Sequence, residues 1–257
     1  MTNRQDDNVG NRGDILKHGA LVRLADLAAQ RAIRGPVTYI DTHAYQLEAG
    51  WNDPLSWKQA INKQMAEYPG YTDYLRREKE QLDRDEPYRC SAGLVLDIIS
   101  ERNYQAILAE SDDETRRTLK TQVRSSGYRV DYFLEDAAEL EEVPVPEPED
   151  DDEDDPGAGS LLVLVDPFEL DPNEWDHIAA GVERFTEEET EGIIEVFHYA
   201  DRETVDWPDP PTHFVGPVAT LDDRPYHLAA YATDPILERV LPELEKLGWT
   251  SHHTEDD

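Results

Sequence analysis

Apolar positions recur along this chain in two rhythms, a helical spacing and short unbroken runs, and they alternate. Ile15, Leu16, Ala20, Leu21, Leu24 and Leu27 follow helical spacing and predict a helix over about 14–33 that Gly35-Pro36 ends. Gly13 and Asp14 form a turn and N-cap at its head. Val37 to Asp41 is an apolar run of strand length, released on Asp41-Thr42-His43. Residues 52–88 are polar and helix-rich, with Trp57, Ile61, Met65, Tyr74, Leu75 and Leu82 as apolar positions, and predict a helical insertion outside the sheet. The rhythm then resumes. A helix over 92–101 leads to a strand from Tyr104 to Glu110, and a helix over 112–126 leads to a strand from Tyr128 to Phe133. Leu161 to Asp166 is the cleanest buried strand of all. A helix over 173–184, a strand from Gly192 to Tyr199, a weaker strand from Phe214 to Ala219, a strand from Tyr226 to Thr233 and a helix from Pro235 to Leu247 complete the pattern.

Helix and strand alternating in this way predict an α/β fold, a mostly parallel sheet with helices on both faces. In such sheets ligands bind outside the carboxyl ends of the strands, at the crossover in strand order. The chemistry collected there would be Asp41, His43, Glu110 and Asp136, a set suited to any nucleotide-like ligand.

Charge alters this picture. The chain has 257 residues, enough for one domain with an insertion, and carries 58 acidic against 24 basic side chains, a formal charge of −34. A hydrophobic content of 38% argues for a folded protein rather than a disordered polyanion. Acid spread evenly, with little lysine, resembles proteins of extreme halophiles, where salt screens the repulsion. On that reading global charge says nothing about nucleic acid, and local charge does. Residues 1–40 form a net-positive region, through Arg4, Arg12, Lys17, Arg23, Arg31 and Arg34. Residues 135–155 are acidic and proline-rich, and a disordered loop is expected over about 141–158. Cys90 is the single cysteine, which excludes a disulfide framework. His177, His198, His213 and His227 have no metal-ligand spacing, so no metal is expected. No apolar run reaches the roughly 18–20 residues of a membrane span, and a cytoplasmic protein is expected.

Two stretches carry a family resemblance. Gly10-Asn11-Arg12-Gly13-Asp14-Ile15-Leu16-Lys17-His18, followed after the helix by Tyr39-Ile40-Asp41-Thr42-His43-Ala44, resembles the opening of the RlmJ family. These are S-adenosylmethionine-dependent methyltransferases acting on adenine N6 of 23S ribosomal RNA. The likeness is specific over residues 8–47 and collinear over most of the rest. It implies a class I, Rossmann-like methyltransferase domain with a mostly parallel seven-stranded sheet, S-adenosylmethionine as cofactor, RNA as partner and a monomer. It further implies His18, His43 and Ser91 against the cofactor, Glu110 on its ribose and Asp136 beside its adenine. Asp166-Pro167-Phe168 resembles the catalytic Asp-Pro-Pro-Tyr (or Phe) motif, with Asp166 and Phe168 holding the target base, and Arg4, Arg12 and Lys17 would seat the RNA.

The chain departs from the family pattern in three places. Asn3-Arg4-Gln5 stands where Tyr-Arg-His is expected. Ala44 runs straight into Tyr45-Gln46-Leu47 without the intervening Gly-Ala-Gly, and Asp166-Pro167-Phe168 is one proline short. Two readings follow: an adenine-N6 RNA methyltransferase, or a methyltransferase fold that has lost transfer and binds RNA, a nucleotide or a partner.

Overall fold

The computed structural model describes residues 12–31, 36–51, 54–145, 159–166, 172–186, 191–199, 212–216, 219–221 and 224–253. Helix α1 (Arg12–Arg31) leads to β1 (Val37–Asp41), a two-residue β2 (Glu48–Ala49), α2 (Pro54–Glu67), α3 (Thr72–Asp83), a two-residue β3 (Tyr88–Arg89) and α4 (Ser91–Ile99). Then follow β4 (Tyr104–Ala109), α5 (Asp113–Ser126), β5 (Tyr132–Leu134), a 3-10 helix (Ala137–Glu142), β6 (Ser160–Val165) and α6 (Pro172–Glu183). The chain closes with β7 (Glu191–Tyr199), β8 (Thr212–Val215), β9 (Ala219–Leu221), β10 (Arg224–Ala232), α7 (Asp234–Lys246) and β11 (Thr250–His253).

The sheet runs β11-β8-β10-β7-β6-β1-β4-β5, with β9 on β10. Four pairings are parallel, linking β5, β4, β1, β6 and β7 in that order. The pairings of β10 with β7, β8 and β9, and of β11 with β8, are antiparallel. The expected mostly parallel seven-stranded sheet is therefore corrected: among the described residues the sheet has nine strands, and its C-terminal half is antiparallel. Strand β10 runs back antiparallel to β7, β8 and β9 pair antiparallel with β10, and β11, reached through α7, pairs antiparallel with β8.

The parallel strands read as unbroken apolar runs because both faces are covered. Alternate side chains enter two separate cores. Tyr39, Ala106, Leu108, Leu162 and Leu164 join α1, α4 and α7 on one side, while Ile40, Ile107, Ala109, Leu161, Val163 and Val165 join α6 and the 3-10 helix on the other. Helix α5 is coded locally as well. Asp112 caps it by accepting from the Thr115 amide at 2.8 Å, acids fill its first turn, and Gly127 ends it at φ 79° in the left-handed region.

Helices α2 and α3 lie between β2 and β3, outside the sheet, packed on each other, with α3 against α1. At the start of the acidic stretch, residues 137–142 fold as a 3-10 helix whose Leu140, with Val143 just beyond, is buried against α6, and residues 146–158 of the expected loop lie outside the described residues. Among the described residues no helix is long and apolar enough to cross a membrane.

Candidate functional site

Strand β1 lies at the centre of the parallel half. The chain moves outward from it through β4 to β5, then returns to its other flank with β6. That reversal makes the carboxyl end of β1 the crossover point of the sheet. In register, Asp41 pairs with Leu108 on β4 and Leu164 on β6, so Glu110 and Asp166 leave the sheet on either side of it. Asp136 follows β5 at the same edge. Two backbone bonds hold the turn across this edge: the Thr42 amide donates to the Leu164 carbonyl at 3.0 Å and the Ala44 amide to the Ala109 carbonyl at 2.8 Å.

Asp41 is fully buried. Its Oδ2 accepts from Tyr39 Oη at 2.9 Å and Ser91 Oγ at 3.0 Å, and its Oδ1 accepts from the His43 amide at 3.2 Å. Burial pushes this carboxyl up, against those hydrogen bonds. Asp41 and Ser91 thus tie the end of β1 to the head of α4, which is where the structure puts the expected cofactor serine.

Glu110 stands at the edge with 9% exposure. Its Oε1 accepts from the Asp112 amide at 2.8 Å, and burial raises its carboxyl to about 6. Arg116 supports it from α5, donating to the Glu110 carbonyl at 2.8 Å and to Glu135 Oε1 at 3.1 Å. Asp136 is exposed and caps the 3-10 helix, accepting from the Ala138 amide at 2.9 Å. His43 is half-buried with Nδ1 at 2.7 Å from Thr42 Oγ1, and its ring is close enough that its charge would lower both Glu110 and Asp166.

Lys17 sits inside the protein rather than on an outward basic surface. Its Nζ donates to Asp166 Oδ2 at 2.6 Å and lies 3.3 Å from Asp14 Oδ1. Burial opposes the ammonium, but the Asp166 and Asp14 carboxylates outweigh it and hold the lysine charged, above its ordinary range. Burial likewise pushes Asp166 up while Lys17 opposes it. His18, on the next residue of α1, is 3% exposed, with Nδ1 at 2.7 Å from Tyr88 Oη. Burial, and then the Lys17 ammonium, lowers this imidazole to about 3, so it is neutral at working pH.

The structure therefore brings Asp41, His43, Glu110, Asp136 and Asp166 to one edge, with Lys17 bound into it and His18 beside Lys17. Arg4 and Phe168 lie outside the described residues, as does the side chain of Arg12, whose backbone begins α1. Sequence reasoning missed Tyr74, Glu78, Tyr88 and Arg116. One signal for Glu78 existed: it falls in the stripe Tyr74, Leu75, Glu78, Leu82, a carboxyl on the apolar face of α3.

No family model matches the chain, and no curated protein does. Among solved structures the chain is similar to protein LPL1258 of Legionella pneumophila, of the DUF519 family, with a TM-score of 0.61 and 15% identity over 96% of this chain and 98% of that one. An rRNA methylase from Streptococcus thermophilus matches 82% of this chain and 96% of its own at 7% identity, with a TM-score of 0.41 that carries no argument. The likeness to the Legionella protein is one of fold. The sheet order and helix placement are those of a Rossmann-like α/β fold, which the chain shares with that protein.

Proposed function

We propose that the chain is an S-adenosylmethionine-dependent methyltransferase of the RlmJ type, acting on adenine N6 in RNA. The observation that carries the reading is the convergence of Glu110, Asp136 and Asp166 on adjacent strand ends around the crossover at β1. The donor set fits the cofactor: a strand-end carboxylate for ribose hydroxyls, an exposed aspartate for an adenine edge, and a surrounding excess of acid for a sulfonium. The cofactor would supply an activated methyl, whose carbon bonds to the amine nitrogen as its bond to sulfur breaks, and the methylated nitrogen then gives up one proton to solvent. The protein's part is orientation. Asp166, paired with Lys17 at 2.6 Å, accepts a hydrogen bond from the amine and aims the nitrogen lone pair.

Calorimetry in about 2–4 M KCl, chosen to screen the acidic surface, tests the cofactor step. We expect S-adenosylmethionine to bind the wild type and Glu110→Ala to weaken it at least about tenfold, the loss of roughly one charge-assisted hydrogen bond. Binding should also weaken as pH falls through about 6, where Glu110 gains a proton and loses acceptor strength, and Glu110→Gln should bind independently of pH there. A folded wild type that binds no cofactor overturns the proposal. Labelled-methyl transfer to RNA is the next measurement.

The second reading, a methyltransferase fold without transfer, is favoured by the loop after β1. Leu47 is buried in the core, and Gln122 of α5 clamps the loop, accepting from the Leu47 amide at 2.8 Å and donating to the Glu48 carbonyl at 2.8 Å. Cofactor binding with no transfer to any RNA would select this reading.

A further inference from the structure

We propose that Glu78 and Tyr88 are positioning residues that, with Tyr74, set which ring nitrogen of His18 carries its hydrogen. The functional arm of the test rests on the strand-end reading above; the structural arm does not.

The four side chains form a buried chain linking the helical insertion to α1. Tyr88 Oη is 2.7 Å from His18 Nδ1, and Tyr74 Oη is 3.4 Å from both. Tyr74 Oη is bonded to Glu78 Oε1. The rings stack around the imidazole, Tyr88 tilted at 5.9 Å between centroids and Tyr74 edge-on at 6.4 Å. All four residues are buried. Glu78 Oε2 is buried without a hydrogen-bond partner, which a carboxylate tolerates poorly and a protonated carboxyl tolerates better.

Each hydroxyl has one hydrogen to give, so the direction of the chain is set at its Glu78 end. The bond as found has Tyr74 donating to Glu78 Oε1; with Glu78 protonated on Oε1, that O–H donates to Tyr74 instead, Tyr74 to Tyr88, and Tyr88 to His18 Nδ1, which leaves the imidazole hydrogen on Nε2. With Glu78 ionised, every bond reverses. Tyr74 donates to Glu78, Tyr88 to Tyr74, and His18 Nδ1–H to Tyr88, leaving Nε2 bare. The second arrangement holds one proton fewer, and that proton goes to solvent. Titrating Glu78 thus switches the edge of His18, the residue next to Lys17.

The groups facing Glu78 come from every element around it. They are Tyr74 on its own helix, Trp57 from α2, Asp14 from α1 and Tyr88 from β3. Burial is the largest influence and Asp14 adds to it, so the carboxyl stays protonated up to about 8, while His18 stays neutral throughout. The switch therefore falls where it can be observed.

The test is long-range proton–nitrogen NMR on uniformly nitrogen-15-labelled full chain, with His18→Gln assigning the His18 signals among the eight histidines. Between about pH 6 and about pH 10 the wild type should pass from the Nε2–H to the Nδ1–H pattern with a midpoint near 8. Glu78→Gln, close to isosteric, should abolish that transition, and Tyr88→Phe should uncouple the tautomer from pH. A wild-type tautomer constant across the range, or an unchanged transition in Glu78→Gln, overturns the proposal. Should Tyr88→Phe fail to fold, Glu78→Gln alone decides. Cofactor affinity measured on the same samples should follow the wild-type transition and not vary with pH near 8 in Glu78→Gln. A tautomer switch in a protein that binds no cofactor would keep this inference and sink the functional one.

Discussion

Replacing Lys17 with methionine is expected to cost about 3 kcal/mol of stability, the lower end for removing one partner of a buried ion pair. The lower end applies because the Lys17 side chain is 9% exposed but that of Asp166 is 20%, so water can still reach the orphaned carboxylate. What remains after the substitution is Asp166 beside Asp14, two acids that Lys17 had separated electrically. Asp166 relieves the repulsion by taking a proton. The native state then holds a proton that an unfolded aspartate releases near pH 4, so stability falls as pH rises above that value. The defect should be larger at about pH 8 than at about pH 5. Urea unfolding in high salt measures it, as a lowered midpoint at unchanged slope. The double variant Lys17→Met with Asp166→Asn should recover more than half of the loss, because no unpaired charge is left. Equal destabilisation of the single and double variants would mean that the 2.6 Å contact has no energetic weight. The pair also matters for the proposed chemistry. An Asp166 that is protonated is a poorer acceptor for an amine hydrogen, so Lys17→Met should lose transfer even where it remains folded.

This ion pair illustrates what the sequence carries and what it does not. Lys17 stands in a net-positive stretch of an acidic chain, and on sequence it reads as a cation for RNA. Its partner is 149 residues away along the chain, and only the crossover of β6 to the flank of β1 brings the two together. The strand-end acids were legible because they follow unbroken apolar runs, whose double burial fixes both strand type and exit point. Helices α1, α4, α5, α6 and α7 were legible through spacing and breakers, to within two residues at their ends, whereas residues 52–88 were legible only as helix-rich, without separate bounds for α2 and α3. Glu78 was hidden because its neighbours Arg77, Lys79 and Glu80 make the segment look like a solvated face. Strand β11 was invisible for the opposite reason. Thr250-Ser251-His252-His253 has no apolar alternation, and it is a strand only because β8 offers an edge. Ser91 shows a third case. Its position at the head of α4 was read correctly, yet the partner the structure gives it is the buried Asp41 carboxylate.

Gly93→Ala should be the most damaging single methyl in the protein's ligand-facing half. Two effects compete. Alanine inside a helix is favoured over glycine by about 1 kcal/mol, so on propensity alone the change stabilises α4. Against this, a Cβ at position 93 would stand 2.1 Å from the Leu47 carbonyl oxygen and 3.0 Å from its carbon. Those are backbone atoms and cannot rotate away. The same carbonyl accepts from the Cys90 amide at 3.1 Å, and Gln122 holds the adjoining amides, so the loop is fixed from both sides. Moving it by the ångström or more that the methyl requires breaks these bonds and lifts Leu47 out of the core. Overpacking of this kind costs about 1–3 kcal/mol, and the lost hydrogen bonds add about 1 kcal/mol each. The clash wins, and a net loss of about 3 kcal/mol is expected by urea unfolding. The displaced segment is the one that, on the sequence resemblance, stands where RlmJ-type proteins carry Gly-Ala-Gly. If the shortened loop forms part of the cofactor site, Gly93→Ala should weaken S-adenosylmethionine at least about tenfold under conditions where the variant is still folded. A variant that is destabilised yet binds cofactor as the wild type does would show that the loop serves the fold alone, with recognition left to Glu110 and Asp136.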